Sequence, residues 1–521
     1  MNWGKGELIK IIGLYLLIIP FLNALNSTGY VNSQIQGYFG VSSTEFMYMN
    51  LIPVFVLIAG LPLALEIAKQ FPLKTLLYAV ILLAVFFNTC SAFTSNPFLF
   101  IVFRSLLAFC TILGIYAAIF PIVLRYNPAF NMAIMYGIMQ FIIQGSSHLY
   151  KYTGVLFADL YDWRISIMMV NINFFICILL TWIFIKKDII PLKQPFQFDF
   201  RGWFLIVLIL VPILFLAAEG QMREWFTDPG VQIAIALLVF LIGIYLLHTR
   251  FNASPIINLK VFGYRNVVLG TLLFFMIGVV NNTGSIILGY MSGILGFDDF
   301  YQARTHLSIF IGICISIPVC TILLYRRIYL QFTAVIGFVA FGLYHLLMYF
   351  RFYPGITVKD FVFPLVLKGI GIGFLYVFSS LYISEKVPKH LSTSRMMSGI
   401  LARNVLAIFL GAAVLNTFVS KMTVSHFASI SQQINSGNSE AVQKFNKKKN
   451  IAIISGFDTK ESDKLADNSL RTDINKTAKM LSYKDIYLAM AIICFVPVLI
   501  ILIFRLGRRP IGTIEVEPIP I

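Results

Sequence analysis

Four basic residues interrupt long apolar stretches of this chain: Arg104, Lys151, Lys368 and Arg403. A charge placed in hydrocarbon is costly, so such a side chain normally faces the interior of a helix bundle or a water-filled cavity. Basic residues in such places can hold an anion or tune a proton carrier. We therefore expect Arg104, Lys151 and Arg403 to lie along a pathway for a substrate or a proton, and we leave Lys368 open between that role and a structural one.

Three of the four have an alternative role. Arg104 can bind backbone carbonyl groups of the first helix, and Lys151 can extend to the outer surface beside Asp159. Lys368 precedes a glycine run, where it can serve helix packing. Arg403 lies nearer the middle of its apolar stretch, so we expect it to have a polar role that faces the interior.

Uncharged polar residues in the apolar stretches extend the candidate pathway. Asn281 and Asn282 break the middle of one stretch, as residues of binding-site helices often do. Their alternative role is hydrogen bonding between helices. His148 is the only histidine expected near the pathway, and imidazole changes charge near neutral pH. Asn26 and Gln144 complete the set.

The sequence offers little for catalysis or for a cofactor. Gly369, Gly371 and Gly373 superficially resemble a dinucleotide-binding loop, but no strand precedes them, so we interpret them as helix-packing positions. The six cysteines lie in apolar stretches without metal-site spacing. We expect no metal and no cofactor, and neither a membrane-embedded enzyme nor a receptor is favoured.

The apolar stretches themselves predict helices that cross a membrane. The chain is 59% hydrophobic and 12% charged, and its mean hydropathy is +0.84. Its apolar runs have the roughly 20 residues that a helix needs to cross hydrocarbon. The fourteen predicted spans are 8–29, 46–67, 73–94, 97–124, 130–157, 164–186, 202–220, 230–248, 266–295, 303–325, 330–350, 360–384, 393–419 and 485–506.

The spacing of the spans predicts an all-α membrane protein made of two homologous bundles around a central cavity. We place a six-helix bundle in residues 1–190, two additional helices in 191–255 and a second six-helix bundle in 256–521. The polar segment 422–484 is predicted to be a long external loop with some helix.

The formal net charge of +17 is explained by membrane topology. Lysine and arginine are concentrated in alternate loops, and the positive-inside rule places those loops and both termini in the cytoplasm. We therefore predict a multi-pass protein of the inner membrane. Nucleic-acid binding is not needed to explain the charge.

Several short stretches along the chain form a recognisable series. They are Asp162-Trp163-Arg164 with Asn171, Ser254 to Phe262, Tyr290 with Gly296 and Ala303, Lys368 to Gly373, and Ser398-Gly399 with Arg403-Asn404 and Gly411-Ala412-Ala413. In order and spacing they resemble the fourteen-helix EmrB/QacA-type drug:proton antiporters of the major facilitator superfamily. The resemblance implies the major facilitator fold, with two six-helix bundles plus two extra central helices, and a monomer.

The chain also departs from that family pattern. Asn26 stands where the family carries an aspartate in its first helix. The loop after the second span keeps the charges of Glu66, Lys69 and Lys74, which the resemblance implies for a conformational gate, but it lacks the family's glycine and aspartate. Lys151 lies in the fifth span, in the region of the antiporter motif.

The resemblance implies a secondary active transporter that exports amphipathic or drug-like molecules in exchange for protons, as in multidrug resistance. The basic interior supports an alternative, a dedicated transporter of an organic anion such as a siderophore-like acid or an acidic lipid-like metabolite. A small-molecule substrate and the lipid bilayer are the expected partners. A periplasmic adaptor protein docking on 422–484 is a further one.

Overall fold

The computed structural model describes residues 12–125, 132–185, 196, 198–252, 254–326, 330–433 and 439–503, and regular structure in these residues is helical. The helices are α1 Ile12–Asn23, α2 Asn32–Phe39, α3 Ser43–Ala68, α4 Leu73–Phe93, α5 Pro97–Arg125, α6 Met132–Gln140, α7 Ser146–Leu160, α8 Trp163–Phe184, α9 Phe200–Glu219, α10 Pro229–Phe251, α11 Arg265–Asn281, α12 Gly284–Gly293, α13 Asp299–Tyr325, α14 Leu330–Arg351, α15 Val358–Ser384, α16 Ser392–Leu401, α17 Ala407–Gln433, α18 Ser439–Ile454 and α19 Thr459–Ile503. Short 3-10 turns occupy Trp225–Thr227, Leu259–Gly263 and Lys389–Leu391, and π-helical turns occupy Phe141–Gly145 and Ala402–Leu406.

Several spans begin at side chains that cap the helix. The Ser42 hydroxyl accepts the Glu45 N–H, and the Glu45 carboxylate accepts the Ser42 N–H at 2.7 Å, which forms a capping box on α3. Asp228 caps α10 and Asp298 caps α13 through one hydrogen bond each. These caps place the helix starts at a polar boundary, because free N–H groups cannot remain unbonded in hydrocarbon.

Twelve helices in the described part of the chain are long and apolar enough to cross a membrane. The remaining two predicted spans, 8–29 and 130–157, fall on α1 and on the α6–α7 pair. The described part of α1 is short, and the π-helical turn Phe141–Gly145 divides the other span. The all-helical membrane fold is therefore confirmed, whereas the count of fourteen spans is not.

Two hydrophobic cores divide the helices into two groups. One core is built mainly by α1, α3–α5, α8 and α9, and the other mainly by α11–α15 and α19. A division of this kind is what a pair of bundles requires, since each bundle must bury its own apolar faces. The domain boundaries given from the sequence stay a prediction.

The backbones of α13 and α15 touch at two glycines. A Cβ added to Gly312 would overlap the carbonyl oxygen of Val366, and a Cβ added to Gly369 would overlap that of Ile309. Small residues permit such an approach, and dispersion between the backbones then stabilises the helix pair.

The same glycine run lets α15 pack on a second neighbour. A Cβ on Gly371 would lie 2.8 Å from the ring of Phe341 on α14, while a Cβ on Gly373 would overlap the Ser316 hydroxyl on α13. The run therefore sits between α13 and α14, in keeping with the packing role expected for it.

The two additional helices, α9 and α10, contact both bundles through the loop 220–228, which we call the bridging loop. At its start Tyr48 of α3 donates to the Glu219 carboxylate at 2.8 Å. At its far side the Trp225 indole donates to the Thr417 hydroxyl of α17 at 2.7 Å. Trp225 has φ of 54°, an uncommon conformation for a large side chain.

The polar segment 422–484 is largely helical, not a loop with some helix. The α17 helix continues to Gln433, α18 follows, and α19 begins at Thr459 instead of at the predicted residue 485. Ion pairs such as Lys449–Asp463 at 2.7 Å link α18 to α19. Hydropathy detected only the apolar half of α19, because its polar half is stabilised by helix pairing and not by lipid.

We call residues 422–433, α18 and 459–484 the helical hairpin. At 45 residues α19 is about 68 Å long. A hydrocarbon core is about 30 Å thick, so the hairpin extends well beyond the membrane. Below, the end of the molecule that bears it is called the hairpin end.

The glycine contact between α13 and α15 yields a stability prediction. Gly369→Val should lower the free energy of unfolding by about 1–3 kcal/mol or more, because the new side chain meets backbone that cannot move aside. Gly243→Val on α10 is the matched control, since a Cβ there meets no atom within 4 Å. Thermal unfolding in detergent should show a lower midpoint for Gly369→Val alone; equal midpoints for the two variants would contradict the close contact.

Candidate functional site

The first and second bundles meet where α6 and α7 pack against α13 and α15. Tyr136 and Ser384 share a hydrogen bond of 2.6 Å across this interface, and the Gln140 amide donates to the Ser380 hydroxyl at 2.9 Å. Both bonds lie near the end opposite the hairpin. The interface is thus closed by polar contacts at that end.

The hairpin end of the same interface is also closed. The Ser33 hydroxyl donates to the Asp299 carboxylate at 2.7 Å. Beside it the rings of Tyr152 and Phe300 are 6.2 Å apart. The two bundles are therefore in contact at both ends.

Between these contacts lies a group of basic side chains from both bundles. His148 and Lys151 come from α7, His306 from α13 and Lys368 from α15, and each is close enough to the others for their charges to interact. We call these four residues the basic cluster. His148 and Lys368 are 220 residues apart in sequence, and the bundle interface brings the four members together.

Lys368 is buried and only partly bonded. Its side chain is 3% exposed, and the ammonium donates to the carbonyl oxygen of Asn281 at 3.3 Å. The ammonium also lies 5.5 Å from the centre of the Tyr344 ring. An ammonium has three donors, so one hydrogen bond leaves capacity for a further acceptor.

Lys151 points into the interface and not toward the surface. Its side-chain carbons lie 3.0 Å from the position that a Cβ on Gly29 would take. In the described part of the chain neither the Lys151 ammonium nor the His148 ring has a hydrogen bond or an ion pair. In the described residues Lys151 makes no ion pair with Asp159, and its side chain packs against the turn after α1.

His306 is a member of the basic cluster that the sequence did not single out. Its Nδ1 lies 3.1 Å from the Gln302 carbonyl oxygen and so carries the hydrogen, while its buried Nε2 has no partner. The expectation that His148 is the only histidine near the pathway is wrong. The sequence could have indicated His306, since a histidine in a predicted apolar span is unusual.

Carboxylates are excluded from the middle of the described spans. Every Asp and Glu in the part of the chain that the structure describes lies in a loop, within three residues of a helix end, or in the polar half of α19 as far as Asp485. No group of three His, Cys, Asp or Glu in those residues could hold a metal ion. The basic cluster is thus without acidic partners.

Arg104 binds backbone carbonyl groups near the end of the first helix, which is the alternative role expected for it. The guanidinium donates to the carbonyl oxygens of Ala24 and Leu25 at 3.3 and 3.2 Å and to the Thr28 hydroxyl at 3.3 Å. It therefore supports the turn after α1, and the opposite side of this turn contacts Lys151. Arg104 thus holds the turn after α1 and is not a member of the basic cluster.

The amide residues of the predicted pathway mainly bind backbone. Asn26 donates to the Leu22 carbonyl oxygen at 3.1 Å, and Asn282 donates to that of Ala407 at 2.7 Å. Gln144 makes only a long contact, 3.5 Å, with Gln140. Hydrogen bonds within and between helices therefore use the side chains of Asn26 and Asn282. The side chain of Gln144 keeps most of its hydrogen-bonding capacity for a ligand.

Arg403 and the predicted gate loop lie away from the basic cluster. Arg403 sits in the π-helical turn Ala402–Leu406, bonds Asn404 at 2.9 Å and lies 5.2 Å from the centre of the Tyr376 ring. In the loop between α3 and α4, Glu66 and Lys69 form an ion pair of 2.6 Å, and Lys74 lies at the start of α4.

Comparison with known proteins gives one family. The model of the Major Facilitator Superfamily matches residues 14–412. No curated protein sequence matches this chain significantly.

Solved structures of similar fold are transporters. The proton:xylose symporter XylE, bound to 6-bromo-6-deoxy-D-glucose, is 12% identical, with 98% of each chain covered and a TM-score of 0.55. The nucleoside transporter NupG is 11% identical, with 94% of this chain and 99% of that chain covered and a TM-score of 0.52. A POT family transporter in complex with thioalcohol conjugated peptide is 15% identical, with 95% and 96% covered and a TM-score of 0.56.

These identities are low, so the structural likeness concerns the fold, whereas the family match extends over most of the sequence. The twelve apolar spans and the two cores agree with it. The EmrB/QacA subfamily is not singled out by these comparisons. The chain is a multi-pass membrane protein with the fold of secondary transporters, and it belongs to the Major Facilitator Superfamily.

Proposed function

We propose that this transporter carries a small organic anion. The observation that supports the proposal is the basic cluster, in which Lys151 and Lys368 lie at the bundle interface without a carboxylate partner among the described residues. A buried charge that is not paired is strongly unfavourable. An anionic substrate would supply the missing acceptors, and its binding would be favoured by the low dielectric around it.

The donors of the cluster suit a carboxylate or a similar oxyanion. Two ammonium groups can each donate several hydrogen bonds, and His306 Nε2 can donate when the ring is protonated. Charge-assisted hydrogen bonds of this kind are roughly twice as strong as neutral ones. A siderophore-like acid and an acidic lipid-like metabolite are both members of this substrate class.

Transport would proceed by alternating access around the basic cluster. The contacts at the hairpin end, Ser33–Asp299, and at the opposite end, Tyr136–Ser384, would open in turn as one bundle rocks against the other. With both termini in the cytoplasm, the hairpin would face the periplasm. It is then the surface on which an adaptor protein would dock.

Export of lipophilic cations in exchange for protons is the competing function, implied by the sequence resemblance. Binding of cationic drugs calls for a carboxylate within the membrane. In the described spans the interior positions hold basic residues instead, and Asn26 replaces the aspartate of the first helix. The organic anion is therefore the substrate class that we favour.

The first prediction concerns substrate charge. In proteoliposomes, the protein should move a fluorescent organic anion and leave a lipophilic cationic dye unmoved. Lys151→Gln should raise the KM for the anion about ten- to a hundredfold, because one charge-assisted hydrogen bond contributes about 1.5–3 kcal/mol. Lys368→Gln should do the same if it folds.

Lys359→Gln is the matched control, since Lys359 is exposed and lies on the same helix as Lys368. It should leave the KM unchanged. Transport of the cationic dye that a protonophore abolishes, together with no effect of Lys151→Gln, would refute the anion proposal and leave the transporter family intact.

The second prediction concerns alternating access. In a variant without the six native cysteines, the pair Ser33→Cys/Asp299→Cys should form a disulfide that stops transport. The pair Tyr136→Cys/Ser384→Cys, whose Cβ atoms are separated by the length of a tyrosine side chain, should stop transport when a bifunctional methanethiosulfonate reagent joins the two thiols. Reduction should restore it, because each contact must open once per cycle. The four single-cysteine variants are the controls, and full transport by either cross-linked protein would rule out rocking about this site.

A further inference from the structure

A cavity outside the bundle interface lies where α12 ends beside the long helix α19. Its volume is about 240 Å³, whereas a water molecule takes about 30 Å³ in the liquid. The lining residues are Gly289, Gly293 and Ile294 on one side and Thr472, Asn475, Lys476, Lys479 and Tyr483 on the other. The cavity therefore has room for a polar group much larger than one water.

The α19 side of the cavity is a wall of hydrogen-bond donors. Thr472, Lys476, Lys479 and Tyr483 are three or four residues apart, so they share one face of the helix. Each of these side chains can donate a hydrogen bond, and no acidic residue lines the cavity. This wall suits a ligand that carries negative charge and several acceptors.

The two lysines of the cavity are uncompensated, whereas three other cations of the helical hairpin are paired. In the described residues, Lys476 and Lys479 have neither an ion pair nor a hydrogen bond. The cations that are paired with aspartates are Lys448 with Asp473, Lys449 with Asp463 and Arg471 with Asp467. The two unpaired lysines of this helix face thus line the same cavity.

The opposite wall is left open by glycines. A Cβ on Gly293 would meet no atom within 4 Å, and a Cβ on Gly289 would lie 3.7 Å from the Tyr483 hydroxyl. Both glycines are exposed. A ligand can therefore enter from the side of the lipid.

The cavity begins at the level of the lipid head groups and extends away from the membrane. The apolar part of α19 begins at Ile486. At 1.5 Å per residue, Tyr483 lies about 5 Å, Lys479 about 10 Å and Lys476 about 15 Å farther along the axis. A tyrosine at this level is typical of the membrane interface, and the head-group layer extends several ångströms beyond the hydrocarbon.

We propose that this cavity binds the phosphate of an anionic phospholipid in the leaflet at the hairpin end. Lys479 is the charged donor nearest the head group and Tyr483 is a neutral donor beside it, while Lys476 adds positive charge on the side away from the membrane. A soluble phosphate ester has the same oxyanion chemistry, but the head-group level and the open lipid side favour the membrane source. The site is separate from the basic cluster and does not rest on the proposed substrate.

Native mass spectrometry of the full chain in detergent can test this proposal with added phosphatidylglycerol. The wild type should retain one such lipid at least tenfold more tightly than Lys476→Gln/Lys479→Gln. Lys460→Gln/Lys464→Gln is the matched control, since both lysines are exposed on the polar half of the same helix. It should bind as the wild type does, and circular dichroism should show equal folding of all three proteins.

A cavity-filling variant and a soluble competitor sharpen the test. Gly293→Leu should weaken phosphatidylglycerol binding without any change of charge, as a built cavity requires. Equal binding by the wild type and the Lys476→Gln/Lys479→Gln protein would overturn the proposal. Displacement of the lipid by glycerol phosphate at a comparable concentration would assign the cavity to a soluble ester and overturn the lipid source.

Discussion

Each bundle depends on a buried cation that binds the backbone at a break in a helix. In the first bundle Arg104 of α5 donates to the carbonyl oxygens of Ala24 and Leu25, where α1 ends; in the second, Lys368 of α15 donates to that of Asn281, where α11 ends. In hydrocarbon, neither an unbonded carbonyl group nor an isolated charge is stable. The cation and the unbonded carbonyl groups therefore stabilise each other. In the predicted order of helices, the cation of each bundle lies on its fourth helix and the break lies on its first.

The correspondence between the bundles continues in the fifth helix of each. The π-helical turns Phe141–Gly145 and Ala402–Leu406 interrupt these helices, and such turns are frequent at functional sites. The bundles differ in how many hydrogen-bond donors of the cation remain unused. Arg104 makes three hydrogen bonds to one turn, whereas Lys368 makes one and keeps donors for the interface. This asymmetry places the binding capacity on the side of the second bundle, with Lys151 and His148 opposite.

Hydropathy alone predicted most of the membrane spans, because a charge-free run of about 20 residues has few other places to fold. It could not predict the polar half of α19, whose ion pairs with α18 depend on tertiary contacts. For the candidate site, the cost of a buried charge pointed to Lys151 as a pathway residue and left Lys368 open between a functional and a structural role. Their partners could not be predicted, since His306 joins them only through packing of α13 against α7, and since the turn at Gly29 decides the direction of Lys151.

The bridging loop has a consequence for the resting population of the transporter. It links α3 of the first bundle to α17 of the second at the hairpin end, through the hydrogen bonds of Tyr48 and Trp225. If opening that end breaks both, at about 1 kcal/mol each, the closed form is favoured about thirtyfold over a chain without the loop. An empty carrier with the loop would then keep its hairpin end closed for more of the time than one without it, which offsets the two hydrogen bonds that close the opposite end. The two additional helices would thus bias the side from which cargo is first met, without touching it.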